Sequence, residues 1–121
     1  MAKFPADVLA AIADREEVEI ETGGRRTIIW IAVDGEHVFV RSVRGEKGRW
    51  YQALLAEPKA TLHLRGKPKL PPVAVRGVPA PDPKSVAACT GALERKYMGD
   101  PALGSMLRED VLGTTVRLEP R

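Results

Sequence analysis

Apolar residues recur along this chain at two spacings, and the two alternate. Over residues 5–15, Val8 and Ile12 stand four apart with Leu9 beside them, which predicts a short helix. Then VEIET sets Val18 and Ile20 against Glu17, Glu19 and Glu21, the two-residue period of a strand. Gly23-Gly24 predicts a turn. TIIWIAV, Thr27 to Val33, is β-rich and apolar on both faces, so both faces need cover. The core supplies one cover; a helix, a partner subunit or a flat ligand supplies the other. Asp34-Gly35 predicts a hairpin turn. On the return strand EHVFVRSV, Val38 and Val40 share one face, while His37, Phe39 and Arg41 share the other.

A helix is predicted to start near Lys47, with Trp50, Ala53 and Leu54 on one face and Tyr51 over Leu55. Pro58 ends it by biasing Glu57 out of the helical region. KATLHLR, Lys59 to Arg65, alternates again. GKPKLPP is a proline-rich connection, and Val73 to Val78 forms another strand. Asp82 followed by Pro83 has the chemistry of a helix start. Val86, Cys89, Leu93 and Tyr97 then make one apolar stripe, closed by Gly99. Asp100 to Asp110 is a loop with a helical turn, and TTVRLEP is a last alternating strand. Six largely antiparallel strands with short flanking helices predict a mainly β (α+β) fold, a small closed barrel in one domain over residues 1–121.

Composition narrows this picture only at certain points. The single cysteine, Cys89, leaves no intramolecular disulfide, and a reduced, cytoplasmic setting is the simplest expectation. The first residues are too rich in charge for a signal peptide, and no run reaches the roughly 20 apolar residues of a membrane span. The net charge of +3, from 19 Lys and Arg less 16 Asp and Glu, is mildly basic. It favours anionic ligands without requiring nucleic acid.

The distribution of that charge says more. VRSVRGEKGRWY, Val40 to Tyr51, concentrates cations and two glycines where a strand gives way to a helix. A helix N-terminus offers free N–H groups, and glycine lets a ligand approach the backbone closely. With Ser42, Arg44, Lys47, Gly48 and Arg49 around that point, the chemistry is that of a phosphate site. The competing reading is a solvated basic face. A P-loop is absent, since G-x-x-x-x-G-K-[ST] does not occur. Trp50 reads as core on the apolar helix face, and Trp30 as core or as a surface for a flat ring.

Other groups offer less. His37 and His63 have no partners at metal-ligand spacing, so no metal site is expected. Cys89 reads as a core residue. Ser85 and Ser105 lack a nucleophile-elbow context, and no pair of carboxylates stands out for acid–base work. No catalytic residue is identified, which leaves a cofactor to carry any reaction.

In order, Thr27-Ile28-Ile29-Trp30, Val40-Arg41-Ser42 with Arg44-Gly45, and Arg49-Trp50-Tyr51 with Leu54-Leu55 before Pro58 resemble the flavin-binding split β-barrels. These are the relatives of pyridoxamine 5′-phosphate oxidase. Within them the chain is most similar to a bacterial family of small single-domain proteins with no assigned function. Lys96-Tyr97 and Thr115-Val116-Arg117-Leu118 before Pro120 match that family's tail. The resemblance implies a six-stranded split barrel and a homodimer with two cofactor sites at the subunit interface. The implied cofactor is FMN or a deazaflavin, and the implied reaction is hydride or electron transfer to a small organic substrate. It places the flavin phosphate near Arg44 to Trp50 and the ring along Ile28, Ile29 and Trp30, with Arg41 facing ligand or partner. The deazaflavin-dependent nitroreductases, a related group, have a longer basic Gly-rich turn than Thr22-Gly23-Gly24-Arg25-Arg26. The rival expectations are a ligand-binding or sensor dimer without redox use, and a nucleic-acid-binding barrel.

Overall fold

The computed structural model describes residues 3–121, so Met1 and Ala2 of the expected domain lie outside the described residues. Helix α1 covers Ala6–Asp14, followed by strands β1 (Val18–Thr22), β2 (Arg25–Ile29), β3 (Ala32–Asp34) and β4 (His37–Val40). A 3-10 turn at Gly45–Lys47 leads into helix α2 (Arg49–Ala56) and strands β5 (Lys59–Leu64) and β6 (Val73–Pro79). Helices α3 (Pro83–Lys96), α4 (Leu103–Met106) and α5 (Glu109–Leu112) precede strand β7 (Val116–Pro120). All neighbouring strands pair antiparallel, in the order β2-β1-β5-β6-β7-β4-β3.

That sheet has seven strands where the sequence predicts six. The extra strand comes from TIIWIAV, which breaks at Trp30 and Ile31 into β2 and β3. These two pieces are the two outer members of the sheet, yet only two residues separate them. One stretch of chain therefore pairs first with β1 and then with β4, joining both edges into a split barrel. The crossing leaves Ile31 outside any ladder, and a buried backbone needs partners. Side chains supply them: the Ile31 N–H donates to Tyr97 Oη at 3.2 Å, and Lys96 Nζ donates to the Ile31 carbonyl at 2.7 Å.

The strand alternation holds throughout. Val38 and Val40 point into the barrel with Ile12, Val18, Ile20, Leu62, Val75 and Leu118. Phe39, on the other face of β4, packs with Cys89, Leu93, Tyr97 and Met106 beneath α3. Each fully buried aliphatic side chain contributes roughly 1.5–3 kcal/mol, which makes these two clusters the main source of stability. Helix α2 seals the barrel with Trp50, Tyr51 and Leu54, and Leu55 stays exposed. Gly77 on β6 makes room for it: a Cβ there would sit 2.6 Å from Leu54 Cδ2. The helix stops where Pro58 predicts, with Glu57 already extended (φ −137°, ψ 106°). At the start of α3 the Asp82 carboxylate accepts the Ser85 N–H at 3.0 Å, ahead of Pro83 in the first turn. Helix α3 ends at Lys96, three residues before Gly99, with Tyr97 of the stripe as its C-cap.

Candidate functional site

The segment from Arg41 to Gly48 is bound to itself. Ser42 Oγ donates to the Gly45 carbonyl at 2.8 Å, and the Gly45 N–H donates to the Ser42 carbonyl at 3.0 Å. The Gly48 N–H also donates to the Gly45 carbonyl, at 3.2 Å. Gly45 takes a left-handed backbone (φ +67°), and a Cβ on Gly48 would fall 2.3 Å from Ser42 Oγ. The Ser42 N–H donates to Thr114 Oγ1 at 3.1 Å, tying the loop to the residues before β7. The serine hydroxyl and the Gly48 amide, the donors expected to face a phosphate, are thus engaged within the loop. What the loop does offer is the start of α2, which carries no side-chain cap. Its first-turn N–H groups have no intrahelical acceptor.

Beside this helix start lies a cleft of about 570 Å³ between β2, the Arg41–Trp50 segment and α4. It brings together eight of the nine residues picked out from the sequence: Ile29, Trp30, Arg41, Ser42, Arg44, Gly48, Arg49 and Trp50. Lys47 is the exception; it is exposed on the 3-10 turn and does not line the cleft. Sequence reasoning missed Glu17, Arg25, Val43 and the α4 residues Ser105 and Met106. A signal existed for Arg25, which shares the strand period of Thr27 and Ile29. None existed for α4, whose approach depends on the path of the chain after α3.

The electrostatics divide the cations into two groups. Arg41 is 1 % exposed. Its Nε donates to Thr115 Oγ1 at 3.0 Å, Nη1 to Thr90 Oγ1 and the Met106 carbonyl at 3.1 and 3.0 Å, and Nη2 to the Val86 carbonyl at 3.2 Å. Burial pushes its guanidinium below the ordinary range, offset in part by the nearby Cys89. Four of its five N–H groups are consumed by the protein, so Arg41 braces β4, α3 and α4 from beneath the cleft. By contrast Arg25, Arg44 and Arg49 are exposed, and among the described residues none forms an ion pair or a side-chain hydrogen bond. Other surface arginines do pair: Arg95 with Asp34 at 3.0 Å, Arg108 with Asp110 and Arg117 with Glu119, each at 3.1 Å. Glu17 is the one carboxylate lining the cleft.

Trp50 is core, 8 % exposed, and reaches the cleft from inside the barrel. Trp30 is half-buried at the strand crossing and stacks on Tyr97, with ring centroids 3.9 Å apart. Ile28 and Val43, 50 % and 46 % exposed, give the cleft an apolar rim.

The remaining candidates lie elsewhere. His63 Nε2 is 2.7 Å from Glu21 Oε1 on the outer face of β1 and β5, and His37 is exposed at the β3–β4 hairpin. The thiol of Cys89 is fully buried and pushed up to about 11 by that burial. Among the described residues, no group of three or more His, Cys, Asp and Glu could hold a metal ion, and no helix is long and apolar enough to cross a membrane.

Several solved structures share this fold. One is HutZ, the heme storage protein of Vibrio cholerae: TM-score 0.68, 12% identity, 98% of this chain and 91% of that one covered. Another is the conserved hypothetical protein Rv2991 of Mycobacterium tuberculosis: TM-score 0.70, 16% identity, 98% and 81% covered. A third is an F420 reductase: TM-score 0.55, 21% identity, 92% and 91% covered. At these identities the likeness is one of fold alone. No curated protein sequence matches the chain. A family model does, over residues 8–118, and by that match the chain belongs to the bacterial family DUF2255, described as an uncharacterized protein conserved in bacteria.

Proposed function

We propose that the cleft binds a planar cofactor with an anionic tail, a phosphorylated flavin of the FMN or deazaflavin type, and that the protein works as a homodimer. The observation that carries this is the convergence of Arg25, Arg44 and Arg49, without carboxylate partners among the described residues, on a cleft walled by Trp30 and Ile29. In this reading the three guanidinium groups and the first turn of α2 hold the phosphate, each charge-assisted hydrogen bond contributing ~1.5–3 kcal/mol. Ile28, Ile29 and Trp30 border the ring. Ring contact must add to the phosphate contacts before the total reaches the roughly 8 kcal/mol of a micromolar complex, because immobilising the ligand costs part of it. A second copy would cover the exposed Ile28 and Val43. The flavin, when bound, supplies hydride or electron transfer to a small organic molecule; the chain's own residues bind it, orient it and exclude water.

A second planar, anionic ligand deserves comparison, because HutZ shares the fold and is a heme storage protein. Heme iron takes axial ligands such as His, Cys, Tyr or Met. Among the described residues the cleft lining holds no His, Cys or Tyr, and Met106 is its one thioether. The donor set therefore favours a flavin. The test is the visible spectrum of the purified protein, followed by separate titrations with FMN, F420 and hemin. Saturable flavin binding that weakens about tenfold or more in Arg44→Ala and Arg49→Ala is the expected result. A protein that leaves both flavins unbound, or binds only hemin, sinks the reading.

A further inference from the structure

Tyr97 caps the C-terminal end of α3 and belongs to no site picked out from the sequence. Its phenol ring lies on the Trp30 indole with centroids 3.9 Å apart and planes 5° from parallel. Aromatic pairs free to choose prefer offset or edge-on arrangements, with centroids about 4.5–7 Å apart. The planes here are parallel and the centroids closer than that range, so something must hold the rings together. The contacts of the phenol show what does. The Tyr97 hydroxyl donates to the Glu16 carbonyl, lies 3.2 Å from the Ile31 carbonyl and accepts the Ile31 N–H at 3.2 Å. Lys96 Nζ reaches the Ile12 and Ile31 carbonyls at 3.1 and 2.7 Å and stands 5.3 Å from the Tyr97 ring centroid. The phenol is thereby pinned to the strand crossing from which Trp30 projects, and it is 4 % exposed.

An indole has two faces. Tyr97 covers one, and Trp30 still borders the cleft. We propose that Tyr97 is a positioning residue for the bound ring: it fixes the plane of Trp30 so that the indole forms the middle layer of a three-ring stack of phenol, indole and ligand. This rests on the flavin reading above. Because the hydrogen bonds set the indole plane before any ligand arrives, the ligand ring meets a preorganised wall and orders fewer side chains on binding.

The experiment titrates the full-length protein and its variants with FMN, reading affinity and the fluorescence of the bound flavin, which stacking on indole quenches. Circular dichroism confirms the fold of each variant. Tyr97→Leu should weaken FMN binding about fivefold and raise the bound-flavin fluorescence. Tyr97→Phe keeps the ring but loses the hydroxyl that pins it, and should weaken binding by less than Tyr97→Leu, about two- to threefold. If folded Tyr97→Leu keeps wild-type affinity and quenching, or Tyr97→Phe binds and quenches just as the wild type does, the hydrogen-bonded positioning is overturned while the flavin reading stands. Should Tyr97→Leu not fold, Trp30→Leu decides, since unchanged affinity and quenching there also overturn the stack. A wild-type protein that binds no flavin overturns both.

Discussion

Arg41 and Arg44 stand three residues apart in the same basic stretch, and the fold sends them to opposite environments. Arg41 continues the Phe39 face of β4, beneath α3, where four hydrogen bonds and almost no solvent surround it. Arg44 comes after the strand has ended, on an exposed loop at the cleft, with no partner among the described residues. A guanidinium bound on all sides by its own protein is a structural brace. One left exposed and unpaired beside an open helix start is available to a ligand. Cation density in a sequence therefore locates a neighbourhood, and the elements that pack over each cation decide which is braced and which stays open.

Substitutions can break this contrast. The largest effect should come from Arg41→Ala, which strips partners from Thr115, Thr90 and two backbone carbonyls and opens space beneath α3. A loss of about 3–4 kcal/mol is expected by urea unfolding; wild-type stability in this variant would show that Arg41 is no brace. Gly48→Ala should come next. Its Cβ would press on Ser42 Oγ, displace the start of α2 and cost about 1–3 kcal/mol together with flavin affinity.

Lys96 sharpens the contrast as a cation held mainly by carbonyls. Burial lowers it to about 8 from its ordinary 10.5, against a smaller opposing pull from Asp14 and Glu16. Between those values the unfolded chain binds the proton that the folded one has released, so stability should rise with pH from about 8 toward 10. Tyr97, pushed up to about 12 chiefly by burial, reverses the slope above pH 10 because the unfolded phenol ionises first. The urea midpoint should be higher at pH 9.5 than at pH 7.5 in the wild type, and that rise should vanish in Lys96→Met, where the raised Cys89 thiol leaves only a fall above pH 9. The smallest effects on stability belong to Arg44→Ala and Arg49→Ala, within about 0.5 kcal/mol, although both should weaken flavin binding. Lys47→Ala, outside the cleft, should change neither quantity. A Lys47→Ala variant that loses affinity would mean the phosphate sits elsewhere.

Much of this was legible beforehand. The apolar stripe of α3, its Asp82–Pro83 start and the opposed faces of β4 appear in the structure as the periodicities require, because side-chain period follows from backbone geometry alone. The basic stretch and the β2 strand were both singled out, and the cleft lies between them. The break at Trp30–Ile31 was not legible: seven apolar residues read as one strand, and only the two sheet edges reveal that they serve both. Nor does local spacing announce that β1 lies between β2 and β5, with Glu21 and His63 bonded across the pairing of β1 and β5.

The sequence by itself determined most local elements and which stretches carry the cations and the apolar run, since each depends on neighbours a few residues away. Tertiary structure alone decided which arginine is a brace, that Lys47 faces outward, and that Tyr97 backs Trp30 across 67 residues of chain. Those outcomes depend on which strand edges meet and which helix crosses them, a matter of long-range packing that no local spacing encodes.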